Sequence, residues 1–332
     1  MIKYLGSKRV LVPILVQAVQ ELPGVRRVLD VFSGTSRVGH ALKKAGLQVR
    51  ANDHNAYAHT LAACYVAADR DRVEARAVKL LADLQATPPR AGYFTETFCE
   101  RSRFFQPKNG ARIDAIRDRI DAMDLPADLR AVALVSLMEA ADRVDSTTGV
   151  QMAYLKEWAP RAHNDLQLRM PAVVPGEGHA HELDALAFAQ QFEADVAYLD
   201  PPYNQHSFLR NYHIWETLVR WDAPEAYGVA CKRADCKERI SDFNSKPRIR
   251  AAMGELLRAI RARHVLVSFN NEGYIAHDEM LALLGEHGEV TSRAIEYDRY
   301  VGARIGIYNP KGEKVGKIGH LKNVEYLFTV QR

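Results

Sequence analysis

Val25-Arg26-Arg27-Val28-Leu29-Asp30-Val31-Phe32-Ser33-Gly34-Thr35-Ser36 opens the stretch that decides the fold, and its reading ends at Asn52-Asp53. The apolar run from Val25 to Phe32 has the length and β-branched content of a buried strand, and Ser33 to Ser36 is a tight turn of small residues. Val38 to Ala45 has helical spacing, Gly46 closes it, and Leu47 to Asp53 reads as a second strand. Strand, turn, helix and strand make one βαβ unit with a right-handed crossover, which places the chain in the α/β class. Gly34 lets the backbone turn tightly and approach a ligand closely. Asp53 ends the second strand, where a carboxylate can accept hydrogen bonds from ribose hydroxyls. Many α/β folds carry a glycine turn and an acidic strand end for packing alone, so the unit leaves nucleotide binding and scaffolding both open.

Upstream, a Lys/Gly/Ser loop leads into an apolar helix, Val10 to Leu22, which Pro23-Gly24 ends. Downstream the pattern changes. Helical runs Ala56–Ala68, Arg72–Gln85, Gly110–Met123 and Asp128–Arg143 dominate, with Asp128 expected as an N-cap. The α/β pattern resumes near residue 181. Val196-Ala197-Tyr198-Leu199-Asp200 is a buried strand stopped by Pro201-Pro202. Pro247 to Arg263 reads as a helix, His264 to Phe269 as a strand, and Val290 to Val330 as strands around an Asn309-Pro310-Lys311-Gly312 turn. The expected organisation is one α/β domain from 1–55 and 180–332, with a mostly helical insertion at 56–179.

The chain has 332 residues, 47% of them hydrophobic, as expected of a globular enzyme. No stretch approaches the roughly 18 uncharged apolar residues of a membrane span, and the first residues carry no signal-peptide pattern. A cytoplasmic location without membrane partners is the expectation. The four cysteines, Cys64, Cys99, Cys231 and Cys236, lack a zinc-type double pair and are expected to be reduced and structural. His179-Ala180-His181 has no third ligand at a familiar spacing, so no metal is expected. Net charge is +4, but it is unevenly spread. Residues 232–263 hold ten Lys/Arg against four Asp/Glu, and residues 293–322 hold seven against three. Concentrated positive charge suits a polyanion-binding face, although solvated basic faces without a partner have the same look.

Asp200-Pro201-Pro202-Tyr203 carries the chemistry. It stands at the carboxyl end of a strand, where open α/β sheets bind their ligands. An exocyclic amine such as adenine N6 is a poor nucleophile because its lone pair is delocalised into the ring. Two acceptors on its two N–H groups pull it towards tetrahedral geometry and free the lone pair to attack a methyl group in line. The Asp200 carboxylate is one acceptor and the Pro201 carbonyl the other. Pro202 holds Pro201 extended, which aims that carbonyl, and neither proline brings a competing N–H. Tyr203 can stack on the base. A plain strand-ending turn is the alternative reading of the tetrapeptide.

These segments together resemble the N6-adenine DNA methyltransferases of the Dam class. That family has Lys-aromatic-x-Gly-Gly-Lys, then Asp-x-Phe-x-Gly-x-Gly, a helical insertion, and Asp-Pro-Pro-Tyr. Here Lys3-Tyr4-Leu5-Gly6-Ser7-Lys8, Asp30 to Ser36, and Asp200 to Tyr203 follow in that order. The resemblance implies a Rossmann-like S-adenosylmethionine-dependent methyltransferase fold with a helical insertion, in which 1–55 and 180–332 are the catalytic domain and 56–179 recognises the target. It implies S-adenosyl-L-methionine as cofactor, held by Tyr4, Lys8, Asp30, Phe32, Gly34, Asp53, Asp184 and Asp200. It also implies catalysis by Asp200, Pro201 and Tyr203 on a flipped adenine of double-stranded DNA. Whether a cognate restriction endonuclease accompanies the enzyme is left open. Ser7 and Ser36 replace family glycines. Both are small enough for the loops to survive, and Ser36 can cap the following helix.

Asn211 and Tyr212 are candidates to touch DNA, with packing of Tyr212 and Trp215 into the core as the alternative. Phe269 is a candidate for the second face of the base. Arg248, Arg250, Lys311, Lys314 and Lys317 are candidate phosphate contacts. Arg101, Arg103, Lys108 and Asn109 are candidate base-edge readers by side-chain type. The nearest rival reading is N4-cytosine methylation, whose enzymes usually carry serine in place of Asp200. A nicotinamide-dependent oxidoreductase lacks support because Ser36 interrupts Gly-x-Gly-x-x-Gly. A non-catalytic DNA-binding module leaves the intact Asp200 to Tyr203 unexplained.

Overall fold

The computed structural model describes residues 1–6, 8–298 and 322–332. After helix α1 (Val12–Gln20) come strand β1 (Arg27–Asp30), helix α2 (Arg37–Lys44) and strand β2 (Gln48–Asn52). The helical stretch follows: α3 (Ala56–Ala62), α4 (Arg70–Gln85), the short α5 (Tyr93–Thr95), α6 (Pro107–Ala122) and α7 (Ala127–Val144). Then come β3 (Gly178–His181), α8 (Ala185–Gln191), β4 (Glu193–Leu199), α9 (Phe208–Asn211) and α10 (His213–Arg220). A two-stranded ribbon, β5 (Ala226–Tyr227) and β6 (Lys232–Arg233), precedes α11 (Ile249–Ala259), β7 (Arg261–Asn270), α12 (His277–Gly285), β8 (Glu289–Asp298) and β9 (Lys322–Gln331).

Seven strands form one sheet in the order β3-β2-β1-β4-β7-β9-β8. β3, β2, β1, β4 and β7 are parallel, and β9 runs antiparallel between β7 and β8. The order reverses between β1 and β4, which opens a crevice beyond their carboxyl ends. This is the expected Rossmann-like α/β architecture. Alternation along the central strands explains why both faces are covered. Val28, Val49, Val196, Tyr198 and Leu266 pack under α1 and α2. Leu29, Val31, Ala197, Leu199, Val265 and Val267 pack under α8, α11 and α12.

A separate core fills the helical body. α3, α4, α6 and α7 pack their apolar sides together, and Ile214, Trp215 and Leu218 of α10 join them. Residues well beyond 179 therefore share this core.

Two local expectations are corrected. Asp128 does not cap α7. The break falls at Pro126, whose fixed ring holds it extended, and Asp128 lies inside the first turn. Arg261 and Arg263 belong to β7 rather than to the preceding helix. Buried Ile260 turns extended after α11, and Arg261 then pairs in register with Glu193 of β4. The Asn309 to Gly312 turn lies outside the described residues.

Candidate active site at the carboxyl ends of the strands

The turns after β1, β2 and β4 line a single cleft that is open to solvent. Three backbone devices shape it. Val31 N–H donates to the Tyr198 carbonyl at 3.1 Å and Ser33 N–H to the Asn52 carbonyl at 2.8 Å, so the β1 turn is tied to both neighbouring strands. The Asn52 side chain donates to the carbonyls of Val31 (3.2 Å) and Leu183 (3.1 Å) and accepts from Leu183 N–H (3.1 Å). Gly34 has φ +49° and Ser36 φ +59°. Glycine takes that left-handed region freely, whereas serine is strained in it. Ser36 does occupy the N-cap position of α2, but its hydroxyl makes no capping bond; the family glycine it replaces would sit there at ease.

Asp53 accepts Gly34 N–H at 3.1 Å through one oxygen and Asn55 N–H at 2.9 Å through the other. Buried Asp30 accepts Gly39 N–H at 3.1 Å, and its second oxygen has no partner. Burial, with Asp200 and Asp53 nearby, pushes the Asp30 carboxyl up to about 8. Tyr4 is stacked between Phe208 (centroids 5.1 Å apart) and Tyr212 (4.5 Å), with its hydroxyl 3.2 Å from that of Tyr57.

Asp200 emerges from β4 into the same cleft, with 20% of its side chain exposed. The buried Lys8 ammonium lies 2.9 Å from Asp200 and 2.5 Å from buried Glu325 on β9. Burial pushes the Asp200 carboxyl up to about 6; Lys8 opposes that rise and Glu325 adds to it. Tyr203 is half-buried, with Phe269 packed edge-on against it at 5.9 Å. The segment after Tyr203 is held by Tyr274 N–H on the Tyr203 carbonyl (2.8 Å) and by the Asn244 amide on the Asn204 carbonyl (2.8 Å).

Tyr4, Lys8, Asp30, Phe32, Gly34, Asp53, Asp200, Pro201 and Tyr203 thus all line one cleft. Asp184 stands apart. It is exposed and caps α8 by accepting Leu186 N–H at 2.8 Å, while its neighbours Leu183 and Ala185 line the cleft.

The DNA-contact expectations fare unevenly. Asn211 and Tyr212 are corrected: both are buried, and the Tyr212 hydroxyl accepts Leu5 N–H at 2.5 Å, because the aromatic stack on Tyr4 claims this short helix. Phe269 is 2% exposed and lies behind Tyr203 instead of facing the cleft. Arg248 and Arg250 are more than half exposed, paired with Asp242 and Glu279. Asn109 is also corrected. It is buried and ties down the backbone at Asn164 and Leu166. Arg103 lies over the Trp158 ring and Lys108 pairs with Asp165, while Arg101 is exposed. Ser7, Lys311, Lys314 and Lys317 lie outside the described residues.

Reading the sequence misses Asn52, Tyr198 and Glu325. Glu325 did carry a signal: in Lys322 to Gln331 it shares a strand face with buried Leu327, an inward place for an acid. All four cysteines are buried and unbridged. Among the described residues no cluster suited to a metal occurs, and no helix is long and apolar enough to cross a membrane.

A family model described as D12 class N6 adenine-specific DNA methyltransferase matches residues 4–279. The chain belongs to this family. The match takes in the β1 turn, Asp200 to Tyr203 and the whole helical body. Curated relatives agree with it. Modification methylase StsI of Streptococcus sanguinis is 28% identical over 90% of this chain and 48% of its own length. Type II methyltransferase M.NlaIII of Neisseria lactamica is 28% identical over 88% of this chain and 89% of its own. Type II methyltransferase M.FokI of Planomicrobium okeanokoites is 28% identical over 86% and 47%. The chain therefore spans about half the length of the StsI and FokI enzymes and nearly all of the NlaIII enzyme.

S-adenosylmethionine, the donor implied by the D12-class motifs, suits the cleft chemically. Five lining side chains hold a buried polar atom without a partner: Asp30 Oδ1, Ser33 Oγ, Arg37 Nε, Asn55 Oδ1 and Tyr198 OH. They offer acceptors for an ammonium and donors for a carboxylate, the two ends of the methionine part. Asp53 keeps lone pairs for ribose hydroxyls.

Proposed function

We propose that this chain is a site-specific DNA methyltransferase that moves a methyl group from S-adenosylmethionine to adenine N6 in double-stranded DNA. The carrying observation is that Asp200 and Pro201 open into the same cleft as the Asp53–Gly34 turn. When bound, S-adenosylmethionine supplies an electrophilic methyl group on a cationic sulfur. Tyr4, Lys8, Asp30, Phe32, Gly34 and Asp53 hold and orient it. Asp200 and the Pro201 carbonyl accept the two N–H groups of the target amine, and Tyr203 stacks on its ring. As the new N–C bond forms and the methyl–sulfur bond breaks, with its electron pair left on a neutral thioether, the nitrogen becomes acidic and its surplus proton leaves to Asp200 or water. The base reaches the cleft by leaving the duplex stack, at a cost of a few kcal/mol that phosphate contacts such as Arg248 and Arg250 help to offset.

The helical segment 56–179 reads the target sequence in this account. The Type II relatives support a place beside a cognate endonuclease in the cytoplasm. The test is to treat unmodified DNA with the protein and S-adenosylmethionine and digest it to nucleosides. N6-methyladenine in a defined sequence context is expected. N4-methylcytosine, or no methylated nucleoside, would overturn the reading.

A further inference from the structure

We propose that Glu325 is a positioning residue for methyl transfer: by drawing off part of the Lys8 ammonium it leaves Asp200 able to accept the target amine. The inference rests on the function proposed above and concerns a residue outside the matched segment 4–279.

The geometry is a buried chain of carboxylate, ammonium and carboxylate. Lys8 Nζ stands 2.9 Å from Asp200 Oδ1 and 2.5 Å from Glu325 Oε1. Glu325 is 2% exposed and is fixed by the Ser268 hydroxyl at 2.5 Å and the Asn270 amide at 3.4 Å. Asn270 is itself anchored on the Tyr297 hydroxyl at 2.7 Å. Two carboxylates against one ammonium leave the cluster with one net negative charge. That charge faces a cleft where an amine gains positive character as it is methylated. With Glu325 neutral, Lys8 and Asp200 would form a self-contained ion pair, and Asp200 would be a weaker acceptor.

The pH behaviour has named contributors. Asp200 interacts with Lys8, Glu325, Asp30, Tyr198, Tyr4 and Tyr203. Glu325 interacts with Lys8, Ser268, Asn270, Tyr297, Tyr198 and Tyr203. Removing its charge takes away a contribution that raises Asp200, so the acid limb of the rate profile moves to lower pH.

Single-turnover methylation of a DNA duplex by wild type, Glu325→Gln and Glu325→Asp between pH 5 and 9 is the test, with S-adenosylhomocysteine affinity and thermal melting measured alongside. Glu325→Gln keeps shape and hydrogen bonding but not charge. Its plateau rate is expected to fall about 10-fold and its acid limb to drop by about one pH unit, with S-adenosylhomocysteine affinity unchanged. Glu325→Asp keeps the charge and should stay within about threefold of wild type with its limb in place. A purely structural role predicts the reverse order, since Gln is the better steric match. Wild-type rate and limb in Glu325→Gln, or a larger loss in Glu325→Asp, would overturn the inference. If Glu325→Gln does not fold, Glu325→Asp still decides: a tenfold loss with intact affinity contradicts it. A wild type that leaves adenine unmodified would instead sink the proposed function itself.

Discussion

The strand-end cleft and the helical body both bury charged side chains, but they treat them differently: in the helical body the unpaired buried atoms belong to Thr87, Thr97 and His213, not to its acids and arginines. In the helical body Asp114 accepts the N–H groups of Gly92, Phe94 and Thr95 and the Thr95 hydroxyl. Arg117 donates to the carbonyls of Leu218 and Val219 and pairs with Asp121. These groups are consumed in holding helices together, as buried polar groups usually are. Around the cleft, Asp30, Ser33, Arg37, Asn55 and Tyr198 keep atoms without partners, and Asp30 and Asp200 are pushed up towards neutrality. An unmet buried group costs about 1–3 kcal/mol, so the cleft is destabilised where a ligand would repair it. The contrast separates the part of the chain built to bind from the part built to stand.

If the contrast is right, damage to the cleft should cost activity and damage to the helical body should cost stability. The largest effect belongs to Asp200→Ala. Methyl transfer should fall about 10³-fold or more while DNA binding, read by fluorescence anisotropy, persists. Wild-type transfer by that variant would refute the role given to Asp200. Next, Asp114→Ala should lower stability by about 3 kcal/mol, because the three buried donors of Phe94 and Thr95 lose their acceptor along with that of Gly92, with the rate per folded molecule unchanged. Thermal melting and active-site titration would check both parts. Gly34→Ala is smaller. The backbone there is left-handed, and the new methyl group meets Tyr4 only at ordinary contact distance, 3.6 Å. About 1 kcal/mol of strain should appear, with roughly tenfold weaker S-adenosylmethionine binding by calorimetry. Smallest of all, Ser36→Gly relieves the serine at φ +59° and should raise stability by roughly half a kcal/mol, seen as a slightly higher melting temperature.

The βαβ unit was legible because period and punctuation agree from Val25 to Asp53, and Asp200 to Tyr203 because each residue type has a chemical reason at a strand end. Helical spacing located α4, α6 and α7 within a few residues. What sequence reading lacked was the third dimension. Tyr212 reads equally as a DNA contact and as core packing until Tyr4, some two hundred residues away, stacks on it. Arg261 and Arg263 continue a helical charge pattern, yet pairing with β4 claims them for a strand. Asn109 has the side chain of a base reader and serves as a backbone clamp. Glu325 meets Lys8 only because β9 turns back beside β7, a pairing that no local pattern announces.

A crystal structure with S-adenosylhomocysteine bound would show whether the donor and Asp200 share this cleft. Ribose hydroxyls should lie against Asp53, with the sulfur atom facing Asp200 across a gap that one methyl group and an amine can fill. A ligand seated elsewhere, or one whose sulfur is walled off from Asp200 and Pro201, would contradict that arrangement.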